Sequence, residues 1–298
     1  MEITFLGTAC MQPTKERSHS AFILSFEAEN LLFDCGEGTQ RQIKIAGIKP
    51  AKITKLFISH WHGDHVLGIP GLMQTMGSSQ FAKKLLIYGP EGTKENIKKL
   101  NEIFAKYSDI IEHEVIEISK DGTFFENDSF SLEAYKLDHG IETIGFKFIE
   151  KDKRRINVSK IKKLGIPEGP LLGKLQNGKN IKFKDKEYKA DELTKIVDGK
   201  IVGYIADTVY TSNCLKIAED CDLLISESSF TSEHNDKAEQ YKHITAEQAA
   251  SIANQSNVLK LALTHVSQRY KDSNVILEEA KQTFQNVILA HDFLKIKL

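Results

Sequence analysis

The sequence predicts an α/β fold: two βα-rich halves, packed sheet against sheet, with helices on both outer faces. Three observations predict it. Short apolar runs alternate with amphipathic stretches in both halves of the chain. Histidines and aspartates gather at the C-terminal ends of those runs, the edge where α/β sheets build their sites. The composition, 41% hydrophobic and 27% charged over 298 residues, is that of an ordinary globular protein.

In chain order, EITFLGT (2–8), SAFILSF (20–26) and NLLFDCG (30–36) are apolar and β-prone, and so read as strands. TQRQIKIAG (39–47) has helical spacing and a glycine stop. KLFIS (55–59) is a buried strand, and DHVLGIPGLMQTMG (64–77) follows the loop after it. LLIYGP (85–90) returns as a strand before the helical pattern of 91–107, and 110–150 is strand-rich. The second half repeats the style. KIVGYIADT (200–208), DLLISESS (222–229), KLALTHVS (260–267) and NVILAHDFLKI (286–296) are strand-like. SNCLKIAEDC (212–221), TAEQAASIAN (245–254) and SNVILEEAKQTF (273–284) are helical between them. The whole of 1–298 reads as one domain carrying an arm at about 153–190. The arm's stretch LGIPEGPLLGKLQNGKN is rich in glycine and proline, with few residues able to build a core.

Net charge is −1, but it is unevenly spread. Residues 147–200 hold 16 Lys and Arg against 8 Asp and Glu, a surplus of +8, while the remainder is −9. A basic run in an insert of unusual composition suits phosphate binding. No apolar stretch approaches a membrane span, and MEITFLGT begins as a strand rather than a charged leader, so no membrane partner is expected. Cys10, Cys35, Cys214 and Cys221 show no CxxC spacing and fit reduced thiols of a cytoplasmic protein.

FISHWHGDHVLG (57–68) places three of the chain's ten histidines, His60, His62 and His65, within six positions, with Asp64 among them. His60 and His62 are two apart on an extended chain and share a side. Gly63 lets the chain turn and aim Asp64 and His65 at a neighbouring point. Imidazole and carboxylate donors suit zinc, and also manganese or iron. Two pairs with different directions imply two metals, and four residues cannot complete two sites. Three later strand-like runs supply candidates: AYKLDHG with His139, VGYIADT with Asp207, and LALTHVSQRY with His265.

This HxHxDH pattern, with distant His, Asp and His, resembles the metallo-β-lactamase superfamily. Within it, FLGTACMQPTKERS, LLFDCGEGTQRQ, LDHGIETIGFKF, LGIPEGPLLGKLQNG, SESSF, HITAEQAA and LTHVSQRY are together similar to the ribonuclease Z family in its short form. The resemblance implies an αββα sandwich with a protruding basic arm that clamps tRNA. It implies a zinc-dependent endoribonuclease that removes 3′ trailers from precursor tRNA, leaving a 3′-hydroxyl on the tRNA and a 5′-phosphate on the trailer. His60, His62 and His139 would hold one of two Zn²⁺ ions per chain, and Asp64, His65 and His265 the other, with Asp207 bridging. The metals would activate a water that Asp64 also orients, and stabilise charge at phosphorus. His243 would protonate the leaving oxygen, supported by Glu227. Ser226 stands where many relatives have histidine. Thr245 and Gln248 have capping-box spacing and would fix the loop that presents His243. Lys15 and Arg17 lie in a PxKxRN-like loop in which Ser18 replaces Asn, and are expected to contact phosphate. Lys163, Lys174 and Lys179 are expected RNA contacts of the arm, and Arg269 either an RNA contact or a buried brace. A homodimer is also implied. His19, His113, His234 and His291 have no partner in the pattern and read as loop or edge residues. The runner-up reading is a small-substrate phosphodiesterase of the same superfamily, which needs the metals but not the arm.

Overall fold

The structure is a computed structural model that describes residues 1–79, 83–103 and 111–298. Among the described residues, two seven-stranded sheets carry the architecture. The first runs, in spatial order, Lys295–Lys297, Glu2–Gly7, Ala21–Phe26, Glu29–Phe33, Ile53–Phe57, Leu85–Pro90 and His113–Ile118. Its first four strands pair antiparallel and its last four parallel. The second runs Val287–Leu289, Leu261–Thr264, Leu223–Glu227, Ile201–Ile205, Glu142–Glu150, Phe130–Asp138 and Gly122–Glu126. Its first four strands are parallel.

Alternation along Ala21–Phe26 shows why the sheets stack. Ala21 and Ile23 join Leu6, Leu32 and Leu56 in a core shared with Ile43, Ile69, Leu72, Met76 and Ile97 of the outer helices. Phe22 and Phe26 point the other way, into an aromatic layer between the sheets. Phe22 meets Tyr204 edge-on at 4.9 Å, Phe26 meets Phe148 at 5.3 Å and Phe33 meets Phe146 at 5.7 Å. Register aligns the rings within the first sheet: Phe22 pairs with Phe33, and Phe33 with Phe57, each stacked at 4.7 Å. Helices Ser212–Ala218, Ala246–Gln255 and Asn274–Thr283 pack on the second sheet. This is the αββα sandwich expected. The helix read over 91–107 spans Thr93–Ile103, and 104–107 lies outside the described residues. All four cysteines are free and buried, and no helix among the described residues is long and apolar enough to cross a membrane.

Glu126–Ser131 and Ile149–Lys200 form a second compact unit, wider than the arm at 153–190. Contrary to the reading of its composition, it has a small core: Ile161, Ile166, Leu175, Ile181, Ala190 and Leu193, flanked by Leu171, Leu172 and Phe183. The glycines and prolines bound its helices rather than dissolve them. Val158–Leu164 ends at Gly165 in the left-handed region (φ 65°), and Pro170 opens Pro170–Gln176 at the position where a missing N–H costs nothing. Lys163, Lys174 and Lys179 stay exposed on this scaffold.

Candidate metal centre

Four of the expected metal ligands stand just beyond a strand, and the other three on the turn and short helix that follow one. Ile53–Phe57 leads to His60, Phe130–Asp138 to His139, Ile201–Ile205 to Asp207 and Leu261–Thr264 to His265. His62 caps the one-turn helix Gly63–Val66, which carries Asp64 and His65. That corrects the role read for Gly63. Its φ is not positive, and it is the helical turn that redirects Asp64 and His65.

The seven side chains converge. His62 Nδ1 lies 3.1 Å from both His60 Nε2 and His139 Nε2, and His65 Nε2 lies 3.2 Å from His265 Nε2. Asp64 Oδ2 is 3.3 Å from His265 Nε2 and 3.5 Å from His65 Nε2. These reproduce two three-residue groups, His60–His62–His139 and Asp64–His65–His265. Asp207 Oδ2 sits between them, 3.8 and 3.7 Å from Nε2 of His60 and His139, and 3.5 and 3.3 Å from Nε2 of His65 and His265.

The partners behind the imidazoles set which nitrogen faces the centre. His139 Nδ1 donates to the Lys242 carbonyl at 2.7 Å, and His65 Nδ1 to Asp34 Oδ2 at 2.8 Å. His265 Nδ1 donates to Ser229 Oγ at 2.9 Å. Each bond leaves Nε2 facing inward. Asp34 is itself buried, accepting from Ser59 N at 2.8 Å, Ser59 Oγ at 2.9 Å and Tyr204 OH at 2.7 Å. Asp34 and His265 both hold φ near 55–60°, a strained conformation for a residue with a Cβ.

The donor chemistry fits divalent cations. The facing imidazole nitrogens, 3.1–3.2 Å apart, are close enough to share one cation. Asp207 Oδ1 is buried without a hydrogen-bond partner, a costly state for a carboxylate oxygen. Burial pushes His60 well below its usual pKa, leaving a neutral ring with a lone pair to give. Burial pushes Asp207 up, but His265 and His65 beside it hold it well below the usual carboxylate range. It is therefore an anion.

Beside this cluster, His243 Nδ1 lies 2.9 Å from Glu227 Oε2 and 4.0 Å from Asp207 Oδ2. Glu227 is fully buried and also accepts from Thr208 N at 2.7 Å and Ser229 Oγ at 2.9 Å. Burial opposes charge on His243, but Glu227 overcomes it, and the pKa is raised to about 9. Thr245 and Gln248 form the expected capping box at the start of Ala246–Gln255, two residues beyond His243. Ser226 turns its hydroxyl to the Glu227 carbonyl at 3.0 Å.

The other expected residues divide. Arg17 is a brace: its guanidinium donates to Thr8 Oγ1 at 2.7 Å, Ala290 O at 2.6 Å and Ser273 Oγ at 3.3 Å, so the phosphate contact expected of it is corrected. Lys15 is exposed. Arg269 is exposed over the Phe230 ring at 4.9 Å, which excludes the buried brace. His19 is buried rather than at an edge, its Nε2 3.1 Å from the Met11 carbonyl, while Met11 N donates to Asp64 Oδ2 at 2.9 Å.

Tyr204 tests the support shell. Tyr204→Phe keeps the ring against Phe22 and removes only the hydroxyl on Asp34. The fold should survive while metal affinity falls about tenfold, the low end for an outer partner. Competition with a chelator measures it, and an unchanged affinity would remove Tyr204 from the support of His65.

Comparison with known proteins agrees with this geometry. The family model described as Anti-Pycsar protein Apyc1 matches residues 1–159. Ribonuclease Z of Methanothermobacter thermautotrophicus is 40% identical over 305 residues, covering 100% of this chain and 97% of the relative. Ribonuclease Z of Nitrosopumilus maritimus is 40% identical and covers 100% of both chains. Among solved structures, human tRNase Z, short form, superposes with a TM-score of 0.74 at 29% identity, covering 100% of this chain and 99% of that one. A match of this depth from end to end reaches well beyond the metal motif, and the chain belongs to the ribonuclease Z family, on a metallo-β-lactamase fold.

Proposed function

We propose that this chain is a metal-dependent endoribonuclease that removes 3′ trailers from precursor tRNA, leaving a 3′-hydroxyl on the tRNA and a 5′-phosphate on the trailer. The observation that carries the chemistry is Asp207 Oδ2, within 3.8 Å of four imidazole nitrogens. The substrate rests on membership of the ribonuclease Z family. Two divalent ions, zinc by resemblance, would be held by His60, His62 and His139 and by Asp64, His65 and His265, with Asp207 shared. Bound there, they would supply an activated water and neutralise phosphate charge.

The chain's own residues do the rest. Asp34, Ser229 and the Lys242 carbonyl hold the imidazoles of His65, His265 and His139 in one tautomer each. Asp64, held by the Met11 N–H, orients the attacking water. His243, kept protonated by Glu227, gives its proton to the leaving 3′ oxygen. By the same resemblance we expect a cytoplasmic homodimer, and light scattering of the purified chain checks the dimer.

The basic unit would clamp tRNA. Its exposed Lys163, Lys174 and Lys179 would take phosphates of an RNA helix, whose base edges are poorly accessible. Because Ile166 and Leu175 belong to that unit's core, charge removal is a cleaner test than deletion. Changing the three lysines to Ala should weaken precursor-tRNA binding and flatten its log–log salt dependence by about 0.7–0.9 per lost contact. Hydrolysis of bis(p-nitrophenyl) phosphate should be unchanged, because remote contacts supply binding rather than charge at phosphorus. An unchanged salt slope would favour a small-substrate phosphodiesterase, since the metal cluster and the Glu227–His243 pair lie wholly in the unit without these lysines.

A further inference from the structure

We propose that the cleft beside Phe230 is a nucleobase subsite that takes the base of the nucleotide whose 3′ oxygen leaves, and that it prefers adenine or cytosine to uracil; this rests on the reading of His243 as acid. The cleft is open to solvent, offers about 570 Å³, and is lined by Thr231, Glu233, Arg269, Tyr270, Glu279 and Gln282 among others.

Its walls are pinned. Tyr270 OH accepts from Thr231 N at 2.8 Å, and the Glu279 carboxylate accepts from Ser232 N, Ser232 Oγ and Glu247 N at 2.9–3.1 Å. Three polar ends lining the cleft are left without a hydrogen bond or ion pair among the described residues: the Arg269 guanidinium, the Glu233 carboxylate and the Gln282 amide. A pinned wall that carries exposed side chains with unspent donors and acceptors can serve as a recognition surface.

The rings order the path from the reaction to the cleft. His243 lies 5.8 Å from Phe230, and Arg269 covers Phe230 at 4.9 Å. A ribose whose 3′ oxygen meets His243 can send its base along this line, to stack on the guanidinium. Unpaired RNA bases are commonly held in this way. Glu233, Glu278 and Glu279 outnumber Arg269, so the cleft repels a phosphate and admits an uncharged base. A carboxylate accepts from an amine, and an amide N–H gives to a ring nitrogen. Glu233 as acceptor and Gln282 as donor would together suit N6 and N1 of adenine, or N4 and N3 of cytosine. Uracil presents the reverse, O4 and N3–H.

Two measurements test this on the metal-loaded enzyme. Adenosine, cytidine and uridine, which carry no phosphate for the metal centre, are titrated by NMR. Precursor RNAs differing only in the last retained nucleotide are cleaved side by side. Adenosine and cytidine should bind about tenfold more tightly than uridine, and kcat/KM should follow the same order. Glu233→Gln should reduce both differences to within about twofold while cleavage of the uridine substrate persists. Arg269→Ala should weaken all three nucleosides alike. Equal binding of the three by the wild type, or discrimination unchanged in Glu233→Gln, would overturn the subsite. Failure of the wild type to cleave any precursor RNA would instead overturn the assigned substrate, leaving the nucleoside titrations to judge the cleft.

Discussion

Asp207→Ala should lose metal and activity together. Asp207 Oδ2 lies within 4 Å of Nε2 of His60, His65, His139 and His265. Without it, Asp64 is the one carboxylate left among the seven, and it belongs to the group of His65 and His265 alone. Two cations brought close together by their ligands repel strongly, and the repulsion grows as the surroundings become less polar. A shared carboxylate is what offsets it. The variant should therefore retain fewer than about two ions per chain, and cleavage should fall by about 10³-fold or more, the several kcal/mol that metal charge supplies at a phosphoryl centre. Metal analysis after dialysis and single-turnover cleavage measure the two effects. The fold should survive, because Asp207 lies beyond the end of Ile201–Ile205 and outside the aromatic layer. A variant that cleaves at the wild-type rate, or a wild type fully active with a single tight ion, would sink the dinuclear reading.

How much of this centre was legible in the sequence follows from what each residue has to do. His60, His139, Asp207 and His265 could be read because each follows a strand at its C-terminal end, and His62, Asp64 and His65 because they crowd the turn after the first of those strands. Asp34 carries the same mark, ending NLLFD as Asp207 ends GYIAD, and that signal could have found it. Ser59, Ser229 and Tyr204 had no such mark. A serine after a strand is commonplace, and Tyr204 sits at a position that reads as core, where its ring does pack while its hydroxyl reaches Asp34. Their roles depend on distances between segments up to 170 residues apart. Arg17 misled for the complementary reason: its sequence neighbours suggested a phosphate, while Thr8, Ala290 and Ser273 come to it only in the fold. The arm misled through composition. Its glycines and prolines punctuate two short helices, and a core of six buried residues is too sparse in sequence to announce itself.

His243→Ala should separate proton transfer from metal binding. The helix behind it keeps its capping box, since Thr245 and Gln248 bond each other's backbone without help from His243. Glu227 loses its charged partner but keeps the Thr208 N–H and the Ser229 hydroxyl, so its buried carboxylate is not stranded. The seven ligand candidates are untouched, and the ion count should stay at the wild-type value. What disappears is the group that can hand a proton to a departing ribose oxygen. An alkoxide is a poor leaving group near neutral pH, and precursor-tRNA cleavage should slow by roughly 10²–10⁴-fold, the usual range for a lost general acid. A nitrophenolate leaves without a proton, so hydrolysis of bis(p-nitrophenyl) phosphate should fall by about tenfold or less. The contrast between the two substrates is the decisive reading, because a residue that only positioned phosphate would slow both alike. Equal losses would make His243 a positioning residue and leave the proton to come from water; loss of metal in the variant would tie His243 to the cluster through Asp207, 4.0 Å away.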